Sequence, residues 1–329
     1  MVVIYDRHGR HEFFDTQEIK GRSLNRWHGW LCSTGQANIY IDHDGQVYRG
    51  TCRVGESLGH IDTGFDLADG WITCTRDACT CGTEIKLSKA RDRTYRDLFG
   101  VYGVSLPQEI DLAQAAAVES PIHKGFYVHW DLGRRCNFDC SYCTSNLHNK
   151  FEAHKDQDLL VRTADRLMSE AEDRALTARF CFAGGEPTLH PGFLDLCTHI
   201  FERRHRNLVT TNGTRSADYW IKLIAVADAQ ISYHFEFVNP VKLCRNVEAV
   251  IEARRSAARH GRHVGYLRIK LLPQPNDFRR LAAAIEDLQA IPGFVEQVSL
   301  EIAPLRKIEP RQELMDYSPA QIRHFGRVF

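Results

Sequence analysis

The chain has 329 residues, of which 43% are hydrophobic and 26% charged, a balance that excludes a disordered or fibrous protein. Lys plus Arg and Asp plus Glu number 42 each, so the formal net charge is zero and no overall field draws the chain to nucleic acid. The start, MVVIYDRHGRHEFF, is charged and has no long apolar run, and later apolar runs are too short to cross a bilayer. We therefore expect a cytoplasmic protein.

The first 83 residues differ from the rest because they are rich in Gly, Asp, Thr and Cys and lack a helical period. The segment NIYIDHDGQVY at 38–48 has an alternating run on each side of Asp44-Gly45, which predicts a β-hairpin. Five thiols fall in this region: Cys32, Cys52, Cys74, Cys79 and Cys81. Because clustered thiols in a reducing compartment usually bind metal, we expect residues 1–83 to form a small cysteine-rich loop and hairpin domain stabilised by a metal or cluster.

Residues 84–123 are predicted to be a linker, in which DLAQAAAVE at 111–119 forms a short helix that ends before Pro121. From residue 124 to 329, strand patterns alternate with amphipathic helix patterns. The predicted strands are 126–132, 178–184, 207–212, 230–238, 264–272 and 296–303. The predicted helices are 156–174, 192–205, 216–228, 245–260 and 277–290. This alternation predicts an α/β fold with a parallel sheet, either a partial barrel or a doubly wound sheet.

The parity of the polar residues along these strands bears on that choice, because successive strand residues face opposite sides. In each of three predicted strands, the polar residues lie on the same face of that strand: His129 with Asp131; Ser232 with His234 and Glu236; and Arg268 with Lys270. One polar face favours a barrel whose open interior holds a polar ligand, whereas the alternative places these charges at strand ends on the rim. Arg268 and Lys270 would suit a carboxylate or a phosphate.

The first predicted strand runs into GRRCNFDCSYC, in which Cys136, Cys140 and Cys143 have the spacing C-x3-C-x2-C. A [4Fe-4S] cubane takes four ligands, usually cysteine thiolates, so three close cysteines leave one iron open to chelate a small molecule. A zinc site is the alternative, with His129 or His148 as a fourth ligand. Two further segments follow the next two strands, GGEP at 184–187 and TTNGT at 210–214.

In this order the three segments resemble those of the radical S-adenosylmethionine (SAM) superfamily, over about residues 124–305. The resemblance implies a partial (β/α)6 barrel in which Cys136, Cys140 and Cys143 hold the catalytic [4Fe-4S] cluster. The residues it implies for binding SAM are Tyr142, Gly184, Gly185, Glu186, Pro187, Asn212 and Ser232. The polar strand residues left as substrate candidates are His234, Glu236, Arg268 and Lys270. One departure is the fifth strand, VGYLRIKLL, which has no clear glycine pattern for supporting adenine.

The N-terminal cysteines are similar to those of the auxiliary-cluster domains called SPASM or twitch, which normally follow the barrel rather than precede it. The similarity implies an auxiliary [4Fe-4S] cluster. Its preferred ligands are Cys32, Cys52, Cys74 and Cys81, with Cys79 as a replacement. A structural zinc site is the alternative, because zinc also binds four thiolates. Cys181, Cys197 and Cys244 are interpreted as packing residues.

The superfamily resemblance implies that a reduced cluster cleaves SAM to methionine and a 5′-deoxyadenosyl radical, which takes a hydrogen from the substrate. It also implies a flavodoxin-like or ferredoxin-like electron donor. The compact layout and the Arg-rich helices further resemble phage radical SAM isomerases that move a glycyl group on a modified thymidine in DNA, which would place the protein in the host cytoplasm. A peptide or protein maturase and a non-catalytic redox sensor are the alternatives.

Three basic runs stand apart from these motifs, at 203–206, 253–263 and 278–280. Such runs are usually solvated helix faces. If the fold aligns them on one side, they would bind phosphates.

Overall fold

The computed structural model describes residues 1–94, 112–119, 125–143, 148–305 and 315–328. Contacts divide the chain into two compact units. The first comprises Met1–His129 with Ser169–Ala178, and the second comprises Trp130–Met168 with Arg179–Phe329. Within the described ranges, every helix is either too short or too polar to cross a membrane.

The first unit is built mainly from short strands. Its strands are β1 (Val2–Asp6), β2 (His11–Phe14), β3 (Leu31–Cys32), β4 (Asn38–Ile41), β5 (Gln46–Tyr48), β6 (Gly59–His60), β7 (Gly64–Phe65), β8 (Ile72–Thr73), β9 (Lys89–Ala90) and β10 (Ala115–Glu119). Its helices are α1 (Thr16–Gly21) and α2 (Gly82–Ile85). Six strands form one sheet in the order β2-β1-β10-β9-β3-β8, and β4 to β7 pair as successive antiparallel hairpins.

The predicted hairpin at 38–48 is confirmed. Strands β4 and β5 pair antiparallel, with Tyr40 opposite Tyr48, and the chain turns at Asp44-Gly45. The turn is fixed by Asp42, whose Oδ1 accepts hydrogen bonds from the backbone N–H groups of Asp44, Gly45 and Gln46. Gly45 has a φ of +104°, a backbone conformation that favours glycine.

The first unit has an apolar core of its own. The buried members of this core are Val2, Ile4, Phe14, Ile19, Trp27, Ile85 and Val118. Since Val118 lies in β10, this unit draws on chain well beyond residue 83.

The segment that ends at Glu119 forms a strand where the sequence predicts a helix. Leu112–Gln114 makes a single 3-10 turn, and β10 then pairs antiparallel with β1, placing Val118 opposite Ile4. The helix predicted over 111–119 is therefore wrong, and the rest of the predicted linker lies largely outside the described residues. Alanine favours helix locally, but pairing with β1 buries Ala117 and Val118 completely, and this packing outweighs the local preference.

From residue 126 onward, strands and helices alternate as predicted. The strands are β11 (Phe126–Asp131), β12 (Ala178–Ala183), β13 (Arg206–Thr211), β14 (Asp228–Tyr233), β15 (Leu267–Leu271), β16 (Val298–Ile302) and β17 (Gly326–Arg327). The helices are α3 (Gln157–Asp173), α4 (Phe193–Glu202), α5 (Ala217–Val226), α6 (Pro240–Arg259), α7 (Phe278–Gln289), α8 (Phe294–Gln297) and α9 (Pro319–Ile322). Strands β12 to β16 pair in parallel and in chain order, and β17 pairs antiparallel with β16. The fold is α/β with a mixed sheet.

Two element boundaries differ from the prediction for identifiable reasons. Helix α6 begins at Pro240 rather than at 245, because the Asn239 side chain caps it by accepting from the Lys242 N–H and proline suits the first helical turn. Strand β14 ends at Tyr233 rather than at 238, because the carbonyl of His234 accepts from the N–H groups of Phe237 and Val238 and so closes a turn.

Strand β15 has one apolar face and one polar face, as the parity of its residues predicts. Burial alternates along β15, where Leu267, Ile269 and Leu271 are buried while Arg268 and Lys270 are half-buried. Both cations face Glu301 of β16, at 3.8 Å for Arg268 Nη1 and 4.0 Å for Lys270 Nζ.

Candidate active site

The predicted cysteine loop follows β11 and lines a cavity of about 440 Å³ in the second unit. The cavity is lined by His148, the alternative zinc ligand, and by nine residues predicted to bind the cluster, SAM or the substrate: Cys136, Cys140, Tyr142, Cys143, Gly184, Gly185, Asn212, Ser232 and His234. They come from the C-terminal ends of successive strands, where open α/β sheets usually bind ligands. Within the described part of the chain, Glu186 and Pro187 border a small neighbouring recess instead.

The three thiols differ in exposure and in the carboxyl group that acts on each, which is Glu186 for Cys136, Glu236 for Cys140 and Asp139 for Cys143. Cys140 is buried, whereas Cys136 and Cys143 are half-buried. Burial raises the pKa of all three thiols, and that of Cys140 to about 11. Cys136 Sγ also accepts from the Phe138 N–H at 3.4 Å. Metal binding would displace protons from these thiols, as is general for cysteine sites.

The donor set and the size of the cavity fit an iron–sulfur cubane. Soft thiolates select iron–sulfur clusters, and three of them here border one volume of about 440 Å³. In the described residues, no three His, Cys, Asp or Glu side chains converge closely enough to hold a single metal ion as they stand. In a cubane, by contrast, the three thiolates would be spread over three irons.

Gly184 and Gly185 bring the GGEP segment into backbone contact with the start of the cysteine loop. The Gly185 N–H donates to Gly133 O at 2.8 Å, and the Glu186 N–H donates to Arg135 O at 2.7 Å. Gly184 has a φ of +111°, and a Cβ there would lie 2.5 Å from Gly133 O. The glycines therefore serve the close approach of two backbone segments, in addition to lining the cavity.

The Glu186 carboxylate joins the GGEP segment to the TTNGT segment. Its Oε1 accepts from the Thr188 N–H, the Thr188 hydroxyl and the Thr211 hydroxyl, and its Oε2 accepts from the Asn212 N–H at 2.6 Å. The residue is 3% exposed, and burial raises the pKa of its carboxyl while the hydrogen bonds from Asn212 and Thr188 act in the opposite direction. In this structure Glu186 organises two loops beside the cavity.

The Asn212 side chain ties the TTNGT segment to the cysteine loop. Its Nδ2 donates to Asn137 Oδ1 at 2.9 Å and to Cys136 Sγ at 3.9 Å. Its Oδ1 accepts from the Thr214 N–H and hydroxyl. Asn137 was not singled out from the sequence, although its place directly after a motif cysteine was a signal for it.

Two side chains after β14 hold the other end of the cysteine loop. Tyr142 Oη and His234 Nδ1 are 2.6 Å apart, and their rings stack with centroids 5.9 Å apart. Burial lowers the pKa of His234 to about 4, so the ring is neutral at neutral pH. The Glu236 carboxylate accepts from the Ser141 N–H and hydroxyl and from Gln274 Nε2. Burial acts to raise the Glu236 pKa, but these hydrogen bonds hold it below its usual value.

Other lining residues carried no motif in the sequence. Pro304 and Leu305 follow β16. Thr210 also lines the cavity, and it is the first residue of the TTNGT segment identified in the sequence. The substrate candidates Arg268 and Lys270 lie on the polar face of β15 opposite Glu301. They are not among the described residues that line this cavity.

Comparison with known proteins places this geometry in a family. The radical SAM superfamily model matches residues 130–285, which include the cysteine loop and the GGEP and TTNGT segments. Residues 130–285, just under half of the chain, are identified by this match as a radical SAM domain. The family implies a [4Fe-4S] cluster and SAM as the groups bound there.

Two curated relatives are similar to part of the chain. The tungsten-containing aldehyde ferredoxin oxidoreductase cofactor-modifying protein of Pyrococcus furiosus is 30% identical over 108 residues, 32% of this chain and 29% of the relative. The S-adenosylmethionine-dependent nucleotide dehydratase of Selenomonas ruminantium is 26% identical over 89 residues, 27% of this chain and 30% of the relative. The matched segments thus span less than a third of these relatives.

Solved structures are also similar to part of the chain. Native anSMEcpe with bound AdoMet matches with a TM-score of 0.41 and 18% identity, covering 58% of this chain and 55% of that one. Streptococcus suis SuiB bound to S-adenosylmethionine matches with a TM-score of 0.39 and 16% identity, covering 60% of this chain and 42% of that one.

The first unit has a second group of cysteines, separate in sequence from the radical SAM domain. A recess of about 20 Å³ is lined by Cys32, Cys52, Cys74 and Cys79. Cys81 directly precedes α2 and, among the described residues, is not part of this lining. Burial raises the pKa of Cys52 to about 12 and also raises that of Cys79.

Three charged residues line this recess, Arg76, Glu84 and Lys89, and the last two are buried. Lys89 is 1% exposed, and its Nζ donates to the carbonyls of Glu84, Leu87 and Ile85 at 2.5, 2.9 and 3.4 Å. The same ammonium lies 4.4 Å from the centroid of the Trp27 ring. Glu84 is 3% exposed, and its Oε1 accepts from the Thr51 hydroxyl and the Cys52 N–H.

Proposed function

We propose that this chain is an enzyme that reductively cleaves SAM in the cavity beside Cys136, Cys140 and Cys143 and takes a hydrogen atom from a substrate. The observation that carries the proposal is the shared cavity of about 440 Å³, which these thiols line together with Gly184, Gly185 and Asn212. The chain-order parallel pairing of β12 to β16 supports the further proposal of a partial (β/α)6 barrel around it.

Each part of the cavity has a proposed task. Cys136, Cys140 and Cys143 would hold the cluster, which when bound supplies the electron that breaks a carbon–sulfur bond of SAM. The stacked Tyr142 and His234 rings offer an apolar surface with a fixed orientation, which suits the adenine. Ser232 and Asn212 offer polar groups for the ribose or the carboxylate. The Gly184–Pro187 turn borders the place proposed for the methionine amino group.

The test is anaerobic conversion of SAM to 5′-deoxyadenosine after iron–sulfur reconstitution and reduction with dithionite. Cys140→Ala should abolish the product, because it removes one of three proposed cluster ligands. Cys244→Ala, which removes a half-buried thiol on α6, is the matched control and should retain activity. Wild-type protein that carries the cluster and forms no 5′-deoxyadenosine with any candidate substrate would favour the redox sensor instead.

For the first unit we propose an auxiliary [4Fe-4S] cluster on Cys32, Cys52, Cys74 and Cys79, with structural zinc as the alternative. The shared recess supports Cys79 rather than Cys81 as the fourth ligand. A content of about eight irons per chain would support two clusters, and about four irons with one zinc would support the alternative. Cys79→Ser should lower the metal content of the first unit, whereas Cys81→Ser should leave it unchanged.

The substrate is proposed from the sequence resemblance alone. We propose a glycyl group on a modified thymidine, isomerised from nitrogen to carbon, with a peptide as the alternative substrate and a flavodoxin-like or ferredoxin-like electron donor. Modified nucleosides or DNA should raise SAM turnover under the thymidine proposal. Stimulation by peptides alone would replace it with the maturase.

A further inference from the structure

A second cavity lies at the opposite strand ends of the radical SAM domain. It has a volume of about 310 Å³ and is lined by residues near the starts of β12, β13 and β14, among them Arg179, Arg206 and Asp228. The thiol-lined cavity lies instead at the ends of these strands, where Gly184 follows β12 and Asn212 follows β13. Because the strands are parallel, the two cavities lie at opposite edges of the sheet.

Two arginines meet in this second cavity. Arg179 and Arg206 are direct register partners on the adjacent parallel strands β12 and β13, and both are exposed. Both side chains line the cavity, so an anion bound there would be attracted by both positive charges. Arginine is also the side chain best suited to bind phosphate in a two-pronged geometry.

Among the described residues that line the cavity, Asp228 supplies the one carboxylate. Its Oδ1 accepts from the Tyr266 N–H at 2.9 Å, and the group also interacts with the half-buried Arg254. Two guanidinium groups and one carboxylate leave the cavity with a net positive charge. That balance favours an anionic ligand over a cation.

An aromatic wall completes the cavity. The rings of Phe201, at the end of α4, and His263, in the loop after α6, lie 5.0 Å apart at 33°. Arg206 and His263 belong to two of the basic runs found in the sequence, 203–206 and 253–263, which the fold brings together here. Ring faces beside a phosphate site suit the sugar or base of a nucleotide.

We propose that this cavity binds a small phosphorylated ligand of nucleotide size, with its phosphate between Arg179 and Arg206 and its organic part against Phe201 and His263. A volume of about 310 Å³ falls at the lower end of the range for small-molecule sites, which fits one such molecule rather than a nucleic-acid strand. The site is separate from the proposed SAM site and does not depend on SAM chemistry.

Equilibrium binding of thymidine 5′-monophosphate, inorganic phosphate and uncharged thymidine to the full chain tests this proposal. The monophosphate should bind most tightly, inorganic phosphate more weakly, and thymidine weakest. Arg206→Gln should weaken monophosphate binding about 10- to 100-fold, the loss expected for a charge-assisted hydrogen-bonded pair. Arg206→Lys should weaken it less, because the positive charge remains. Arg279→Gln, which removes an exposed arginine on α7, is the matched control and should bind as the wild type does.

Two results would overturn the proposal. Monophosphate binding that Arg206→Gln leaves unchanged would place the ligand elsewhere, and tighter Arg206-dependent binding of a DNA duplex would assign this surface to nucleic acid. Circular dichroism and SAM cleavage of each variant establish that it is folded. Because SAM cleavage is measured separately, failure of the phosphate site is distinguishable from failure of the proposed activity.

Discussion

Replacing Glu186 with Gln turns one buried carboxylate oxygen into an amide nitrogen while keeping the shape of the side chain. Oε1 accepts three hydrogen bonds, so the amide orientation of lower free energy keeps an oxygen at that position and places the new NH2 group at the position of Oε2. There it faces the Asn212 N–H, which loses its acceptor and meets a second donor. A buried donor left without a partner, together with the lost charge assistance, costs about 2 to 4 kcal/mol.

Thermal unfolding followed by circular dichroism measures this cost directly. We expect Glu186→Gln to lower Tm by roughly 5 to 15 °C in protein without added metal or SAM. Glu202→Gln, at the exposed end of α4, should change Tm by less than about 2 °C. If Glu186→Gln melted like the wild type and lost only SAM binding, the carboxylate would act on the ligand and the structural role derived from its four hydrogen bonds would be refuted.

Three further outcomes follow from other contacts. Gly185→Ala should impair iron incorporation and lower the free energy of unfolding by about 1 to 3 kcal/mol, because its Cβ would lie 2.5 Å from Arg134 O. Denaturant titration measures this loss. Gly21→Ala, whose Cβ would have nothing within 4 Å, is the control and should leave the free energy of unfolding unchanged. Lys89→Met should lower the free energy of unfolding by about 2 to 4 kcal/mol, because the buried carbonyls lose their donor. Urea unfolding measures this loss, and Lys222→Met, at an exposed position, is the control. Because burial lowers the pKa of His234 to about 4, the imidazole of the unfolded chain is protonated at a higher pH than that of the folded chain. The stability that the neutral, buried His234 contributes is therefore fully present above pH 6.5 and is lost as pH falls toward about 4. In His234→Gln, the free energy of unfolding should therefore fall less between those pH values than in the wild type, the difference being about 2 kcal/mol or more. Urea unfolding at each pH measures this, and an unchanged pH profile would contradict a low pKa for His234.

The second half of the fold was predictable because local and long-range signals agree there. Alternating strands and amphipathic helices carry their own period and caps, such as Ser216, whose hydroxyl accepts from the Tyr219 N–H at the start of α5. The segment at 115–119 was not predictable in this way. Its alanines favour a helix, and the partner that makes it a strand is β1, more than a hundred residues earlier in the chain.

The same contrast applies to the site. The spacing of Cys136, Cys140 and Cys143 predicted that they lie together, and all three line one cavity. Residues so close in sequence lie near one another in space whatever the long-range pairing of the strands. The task of Glu186 was less visible, because its hydrogen-bond donors at 211 and 212 lie about 25 residues away and reach it only through pairing of β12 with β13. The spacing of Cys79 and Cys81 did not distinguish them, whereas in the structure Cys79 lines the recess and Cys81 directly precedes α2.

The contacts that hold the cysteine loop have a consequence for how the protein is made. Ser141 is fixed by Glu236, and Glu236 in turn by Gln274, so the loop takes its shape from residues the ribosome adds roughly a hundred positions later. A nascent chain that has passed its third motif cysteine still lacks the carboxylate that orders the loop. Iron delivered before that point would meet unorganised thiols, so productive loading should follow release of most of the domain from the ribosome.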